Sequence, residues 1–284
     1  MMKLKHSVLT MTLCACTSLS CASLLVTDVE GQVNNDSKTP LSLLAEVHTG
    51  SKLSLETGAK LVLVDMSSGR EYLLIGEGQY QIDPGGPRTL WGPAVVAKSL
   101  PANNLPPVRI ATNLVAQGTL VMRNMRNVHN MMNIPLPISP VRTALLTTTP
   151  LLRWSPVEGA TSYRVSISKQ SEQDVRLFDT ITKECKLALP DSAGLTAGGY
   201  YSWRIEAINE KEKIGDASTI MWVVSSDVAD KLAQLKPESH ASYARRVLYA
   251  AELHQAGAVE EARVLWQALA IERPGHANLQ KLSQ

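Results

Sequence analysis

Four groups of residues in this chain have the types and spacing to do chemistry. The first is Met122-Arg123-Asn124-Met125-Arg126-Asn127-Val128-His129-Asn130-Met131-Met132. Thioethers beside an imidazole are soft ligands that suit Cu(I). Arg123 and Arg126 repel a cation, however, and Met also fills irregular gaps in a core. No metal site is assigned on this pattern. The second group is a set of bases without acids. Residues 84–157 hold no Asp or Glu in 74 positions, yet carry Arg88, Lys98, Arg109, Arg123, Arg126, Arg142 and Arg153. One reading is an anion-facing surface built on Arg88, Lys98, Arg109, Arg123 and Arg126, for lipid headgroups, acidic polysaccharide or an acidic protein face. The other reading pairs these bases with acids elsewhere in the fold. The third group is Cys14, Cys16, Cys21 and Cys185. The fourth is the histidines and paired carboxylates. His48, His129, His240, His254 and His276 are scattered along the chain, and Glu260-Glu261 sits at a helix start, where neighbours in sequence point to different faces. There is no His-Glu-x-x-His, Gly-x-Ser-x-Gly, phosphate-binding loop or, after residue 22, Cys-x-x-Cys. Gly76-Glu77-Gly78 lies between strand-like runs and lacks the third glycine of a dinucleotide fingerprint. Neither an enzyme nor a cofactor is expected.

The start of the chain reads as an export signal, residues 1–22. Lys3, Lys5 and His6 precede a moderately apolar stretch from Val8 to Leu19, and Ser20, Cys21, Ala22 and Ser23 are small. Cleavage after Ala22 would leave Cys185 alone, a small half-buried strand residue in this reading. Leu13-Cys14-Ala15-Cys16 also resembles a bacterial lipoprotein box, which would put a lipid on Cys16. No later apolar run approaches the roughly 18 residues of a membrane-spanning helix. The expected location is the periplasm, free or lipid-anchored.

Three modules follow from the hydrophobic periods. From Val26 to about Asp83, short alternating runs such as Leu61-Val62-Leu63-Val64 and Gln79-Tyr80-Gln81-Ile82-Asp83 are separated by turns, including Asp65-Met66-Ser67-Ser68-Gly69. That spacing predicts a small antiparallel sheet or barrel over residues 23–100. Residues 101–140 read as a basic, Met- and Pro-rich connector in which Pro135, Pro137 and Pro140 mark an extended link. Residues 141–225 alternate strictly in Tyr163-Arg164-Val165-Ser166-Ile167 and in Tyr201-Ser202-Trp203-Arg204-Ile205. One face is core and one is wet, with Trp154, Tyr163, Tyr201, Trp203 and Trp222 expected inside. In residues 226–284 the period switches to 3.6. Helices are predicted from Ser226-Asp227 to about Leu235, from Ser239 or Ser242 to Gly257, and from Glu260-Glu261 to Arg273-Pro274, with Trp266 facing inward.

These residues carry family resemblances. Val47-His48-Thr49-Gly50-Ser51-Lys52-Leu53, Ala59-Lys60-Leu61-Val62-Leu63 and Ser68-Gly69-Arg70-Glu71-Tyr72-Leu73 resemble the rhythm of the FecR-type periplasmic β domain. Signal-transducing members of that family carry a cytoplasmic segment and a membrane helix, where this chain has the export signal. Trp154, Gly159-Ala160-x-x-Tyr163-x-Val165 and Leu195-x-x-Gly198-x-x-Tyr201-x-Trp203-x-Ile205 are similar to a fibronectin type III domain, including its tyrosine corner. Leu253, Gly257, Glu261-Ala262, Trp266, Leu269 and Pro274 resemble a single tetratricopeptide repeat, with Arg246 where an early large residue is usual. The resemblances imply a mainly β protein with a C-terminal helical pair, serving as a cap or as a partner groove.

The net charge of +2 conceals a division. After residue 22, bases and acids both number 26. The acid-free stretch holds seven of the bases, leaving 19 against all 26 acids. Nucleic acid is not an expected partner. The expectation is an exported binding or scaffold protein acting on an envelope protein or an anionic glycan or lipid surface. The alternatives are a component of a FecR-related sensing system and, further off, a glycan-active enzyme.

Overall fold

The computed structural model describes residues 23–99, 134–170, 175–210 and 212–283. The expected export signal with Cys16, and the Met/His segment, lie outside the described residues. The fold is mainly β, with helices gathered after residue 225.

Nine strands build the first module: β1 (Ser23–Glu30), β2 (Val33–Asn35), β3 (Glu46–His48), β4 (Lys52–Leu55), β5 (Lys60–Asp65), β6 (Arg70–Ile75), β7 (Gly78–Asp83), β8 (Gly86–Trp91) and β9 (Val96–Ser99). They form two antiparallel sheets, in the orders β3-β1-β5-β6-β9 and β2-β4-β7-β8. The β5–β6 turn forms where the sequence placed one. Asp65 Oδ1 accepts from Ser67 N at 2.8 Å and Asp65 Oδ2 from Ser68 Oγ at 2.6 Å. Leu24, Val26, Leu61, Leu63 and Leu74 from one sheet meet Leu53, Leu55, Tyr80 and Ile82 from the other.

The second module is a sandwich of β10 (Pro137–Ser139), β11 (Thr143–Leu145), β12 (Leu151–Trp154), β13 (Ser162–Lys169), β14 (Val175–Thr182), β15 (Lys186–Ala188), β16 (Tyr200–Asn209) and β17 (Glu212–Val223). Its sheets run β10-β12-β15 and β11-β17-β16-β13-β14. Trp154 sits edge-on to Tyr163, centroids 5.7 Å apart, and 6.4 Å from Trp203. The Tyr201 hydroxyl accepts from Thr196 N at 2.7 Å, tying strand β16 to the loop before it. Two expectations change here. Pro137–Ser139 is not linker but a strand on β12. It lies at a sheet edge, where the missing proline N–H removes no ladder bond. Trp222 is not in the sandwich core. Met221 and Val223 take the inward positions, so period two turns the intervening Trp222 outward. There it stacks on the exposed Tyr200 at 6.1 Å.

The helices are α1 (Ser226–Leu235), α2 (Tyr243–Gln255), α3 (Val259–Glu272) and α4 (Ala277–Leu282). Ser225, one residue before the expected position, caps α1, and Ser242 caps α2 by accepting from Arg245 N at 3.3 Å. Gly257 ends α2 at φ +82°. A Cβ there would stand 2.7 Å from the Trp222 ring, so the turn is glycine for both backbone and space. The short α4 has no counterpart in the sequence expectation.

The three modules share a core. Leu25, Val62 and Val64 from the outer face of β1 and β5, and Ala144 and Val224 from the sandwich, pack with Leu232, Val247, Leu248, Leu253, Trp266 and Leu269 of the helices. β1 and β5 are therefore covered on both sides, and α2 is buried on most of its circumference. The helical pair acts as a cap across both β modules.

Candidate functional site

The strongest electrostatic feature lies where the cap meets the first module. β1 changes register between Val26 and Asp28, and the Asp28 carboxylate is almost wholly buried beneath the α3–α4 turn. Asp28 Oδ2 lies 3.0 Å from Lys60 Nζ and 3.3 Å from Arg273 Nη2, and Oδ1 lies 3.7 Å from His276 Nε2. Burial alone would push this carboxyl up. The basic groups of His276, Arg273 and Lys60 outweigh it and hold the carboxyl well below the usual carboxylate range. Glu30 joins at the surface, 2.8 Å from Lys60 Nζ and 3.2 Å from Arg273 Nε. The Arg273 guanidinium also stands 4.8 Å from the centre of the Tyr243 ring. An open groove of about 560 Å³ runs past this cluster, lined by Glu30, Gly31, Ser42, Arg273, His276 and Asn278 among others. Lys60 and Arg273 already face the cluster's own carboxylates. The arrangement therefore clamps the helices to β1 and presents no uncommitted cation to an anionic ligand.

The sandwich meets the cap through a second set of polar contacts. Glu260 accepts from Ser139 Oγ at 2.5 Å and from Val141 N at 2.9 Å, and Thr143 Oγ1 accepts from Val259 N at 3.0 Å. Glu260 is thus a docking residue at the α3 start. Its neighbour Glu261 is half-buried, with Oε2 lacking a protein partner, and burial raises its carboxyl. Burial lowers the nearby-in-sequence His254 imidazole.

Of the bases singled out in the sequence for an anion-facing surface, Arg88 and Lys98 lie among the described residues, on β8 and β9 of different sheets. Arg88 Nε donates to Asp83 Oδ2 at 2.7 Å, an acid just outside the acid-free stretch. Lys98 is exposed on β9, opposite Glu71 of β6. Arg109, Arg123 and Arg126 lie outside the described residues. Trp154, Tyr163, Tyr201 and Trp203 fill the sandwich core and Trp266 the helical one. Cys185 is a half-buried free thiol in the bend before β15. Among the described residues, no cluster of three or more His, Cys, Asp or Glu could hold a metal. No helix among them is long and apolar enough to cross a membrane.

Trp91, which sequence reasoning passed over, is the exposed member of the five tryptophans, with 57% of its surface open. It ends β8 opposite Gln79 of β7. The chain turns sharply after it. A Cβ on Gly92 would lie 2.7 Å from Gly78 Cα and 2.6 Å from the Glu77 carbonyl oxygen, so only glycine permits this approach. The Pro93 carbonyl is held by Tyr80 Oη at 3.1 Å and Thr89 Oγ1 at 3.2 Å. The backbone after Trp91 is thus fixed, and the indole lines an open, mainly polar groove of about 360 Å³ with Ser54, Glu56, Thr57, Glu77 and Gln79. Thr57 Oγ1 donates to Glu77 Oε2 at 2.7 Å, which sets that carboxylate. The sequence signal was a Trp outside the alternating rhythm, in the turn-like Thr89-Leu90-Trp91-Gly92-Pro93. No protein-family model matches the chain, and no curated protein matches it.

Proposed function

We propose that this chain is an exported binding or scaffold protein of a bacterial envelope, without catalytic activity, working through protein–protein or anionic-glycan contacts. The observation that carries the reading is the shared core of the three modules. A single cap packed on both β modules makes a rigid frame, and such a frame suits presentation of surfaces rather than domain closure over a substrate. The strand orders of the sandwich and the Tyr201 tie support the fibronectin-like assignment. The paired short-strand sheets support the FecR-like one. The export signal and the location rest on the sequence alone.

The test is crosslinking in intact cells followed by mass spectrometry of what co-purifies with the full chain. An envelope protein or glycan is the expected catch. Recovery of cytoplasmic proteins only would remove the envelope assignment. Release of new reducing ends from envelope glycans by the purified protein would remove the non-catalytic one.

A further inference from the structure

We infer that the groove beside Trp91 is a binding subsite for a neutral saccharide, an inference that rests on the non-catalytic binding reading above. A pyranose offers two unlike surfaces: a face of C–H groups and a rim of hydroxyls. The groove offers the complement of both. The exposed indole supplies a flat apolar platform that burial of a ligand would cover. Around it, the Ser54 hydroxyl and the Gln79 amide both donate and accept, while the Thr57 hydroxyl, its proton on Glu77, accepts along with Glu56 and Glu77. A sugar hydroxyl also does both, so each lining group finds a use. At about 360 Å³ the space is at the small end of ligand sites, which run roughly 300–1,000 Å³.

Charge selects among saccharides. Both ionisable residues of the lining are carboxylates, and no base lines the groove. A uronic acid or a phosphorylated sugar would meet like charge at close range, which disfavours it. The site is also preformed. Gly78 and Gly92 let the two strand ends touch, Pro93 is pinned from two sides, and Glu77 is held by Thr57. Little ordering remains to be done when a ligand arrives. Binding involves no covalent step.

The experiment uses the full mature chain labelled with fluorotryptophan and followed by fluorine NMR, with the Trp91 signal assigned from Trp91→Phe. The probes are cellotetraose and the N-acetylglucosamine tetramer, with oligogalacturonate and an oligolysine peptide as charged comparators. The expected result is a saturable shift of the Trp91 signal with a neutral tetramer, while the four other signals stay put. Trp91→Ala should weaken binding at least tenfold, and Gln79→Ala severalfold, in proteins whose melting temperatures match the parent. No shift with either neutral probe, or an affinity unchanged in Trp91→Ala, overturns the inference. A Trp91 shift confined to oligolysine overturns it in favour of a basic peptide, and one confined to oligogalacturonate overturns the charge argument. Absence of saccharide binding alongside crosslinked envelope partners defeats this inference alone. Cleavage of the tetramers defeats the non-catalytic reading itself.

Discussion

Replacing Asp28 by Asn tests the clamp between the helical cap and β1. The substitution keeps the shape and removes the charge. Removing one partner of a buried ion pair costs about 3–5 kcal/mol, because the remaining charges lose their counterion. Here the loss belongs at the low end. Lys60 and Arg273 are 29% and 30% exposed, and both retain Glu30, at 2.8 and 3.2 Å. A cost of about 3 kcal/mol is therefore expected near neutral pH. In a chain of this size, that corresponds to a melting temperature lower by about 6–12 °C. Glu30→Gln is the control, since an exposed pair contributes about 1 kcal/mol or less. The pH dependence follows from the depressed carboxyl. A group whose folded value lies below its unfolded one stabilises at every pH above the ordinary carboxylate value. It loses that contribution as pH falls through the folded value. The parent and Asp28→Asn should thus differ fully at pH 7, with the gap starting to narrow below about pH 4 and closing only as pH reaches the folded value. Urea denaturation at several pH values, read by far-ultraviolet circular dichroism, measures both. A cost no larger than that of Glu30→Gln, or a gap that persists undiminished into acid, would refute the assignment of Asp28 as the buried counterion.

Further outcomes are expected elsewhere. Gly257→Ala combines a positive φ with a clash against Trp222, and should cost about 2–4 kcal/mol in the same denaturation assay. Tyr201→Phe removes the acceptor of Thr196 N and should cost about 1–2 kcal/mol, whereas Tyr200→Phe at the surface should be neutral within about 0.5 kcal/mol. Glu261 has its carboxyl raised by burial, so its ionisation opposes folding once pH exceeds the ordinary value. Glu261→Gln should raise stability at pH 7 and make no difference below about pH 4, and a stability gain that is equal at both pH values would contradict this. Intact-mass analysis of protein purified from cells should show a mature chain starting at Ser23, or at a lipid-bearing Cys16. Full-length protein with Met1 would contradict both.

Much of the fold was legible because its periods are local. The alternation at Tyr163–Ile167 and Tyr201–Ile205, the Asp65–Gly69 turn and the serine caps each depend on a few neighbouring residues. What the sequence concealed was how modules cover one another. Leu61-Val62-Leu63-Val64 reads as one strand in a small sheet. Its lack of polar alternation was the sign of a strand buried on both faces, and the outer cover comes from helices nearly 200 residues later. Asp28 is a lone acid within Leu24–Val29, a signal the sequence reading passed over, and its counterions Arg273 and His276 are remote. Trp222 was misplaced because aromatic content was counted without the phase of its strand. The acid-free stretch was legible as a composition and not as a surface, since pairing depends on which acids the fold brings near.

The Asp28–Arg273 contact spans 245 residues. Joining positions so far apart costs loop entropy that is recovered only when the last helices arrive. A chain made or threaded from its N-terminus therefore passes through a long interval in which β1 has no cover and Asp28 no guanidinium. In that interval Lys60 is the counterion the module itself offers Asp28, and the outer face of β1 stays open to water. Arrival of α2, α3 and the turn that carries Arg273 is then the event that covers β1, and a chain cut before them would leave an apolar strand face for chaperones or proteases to find.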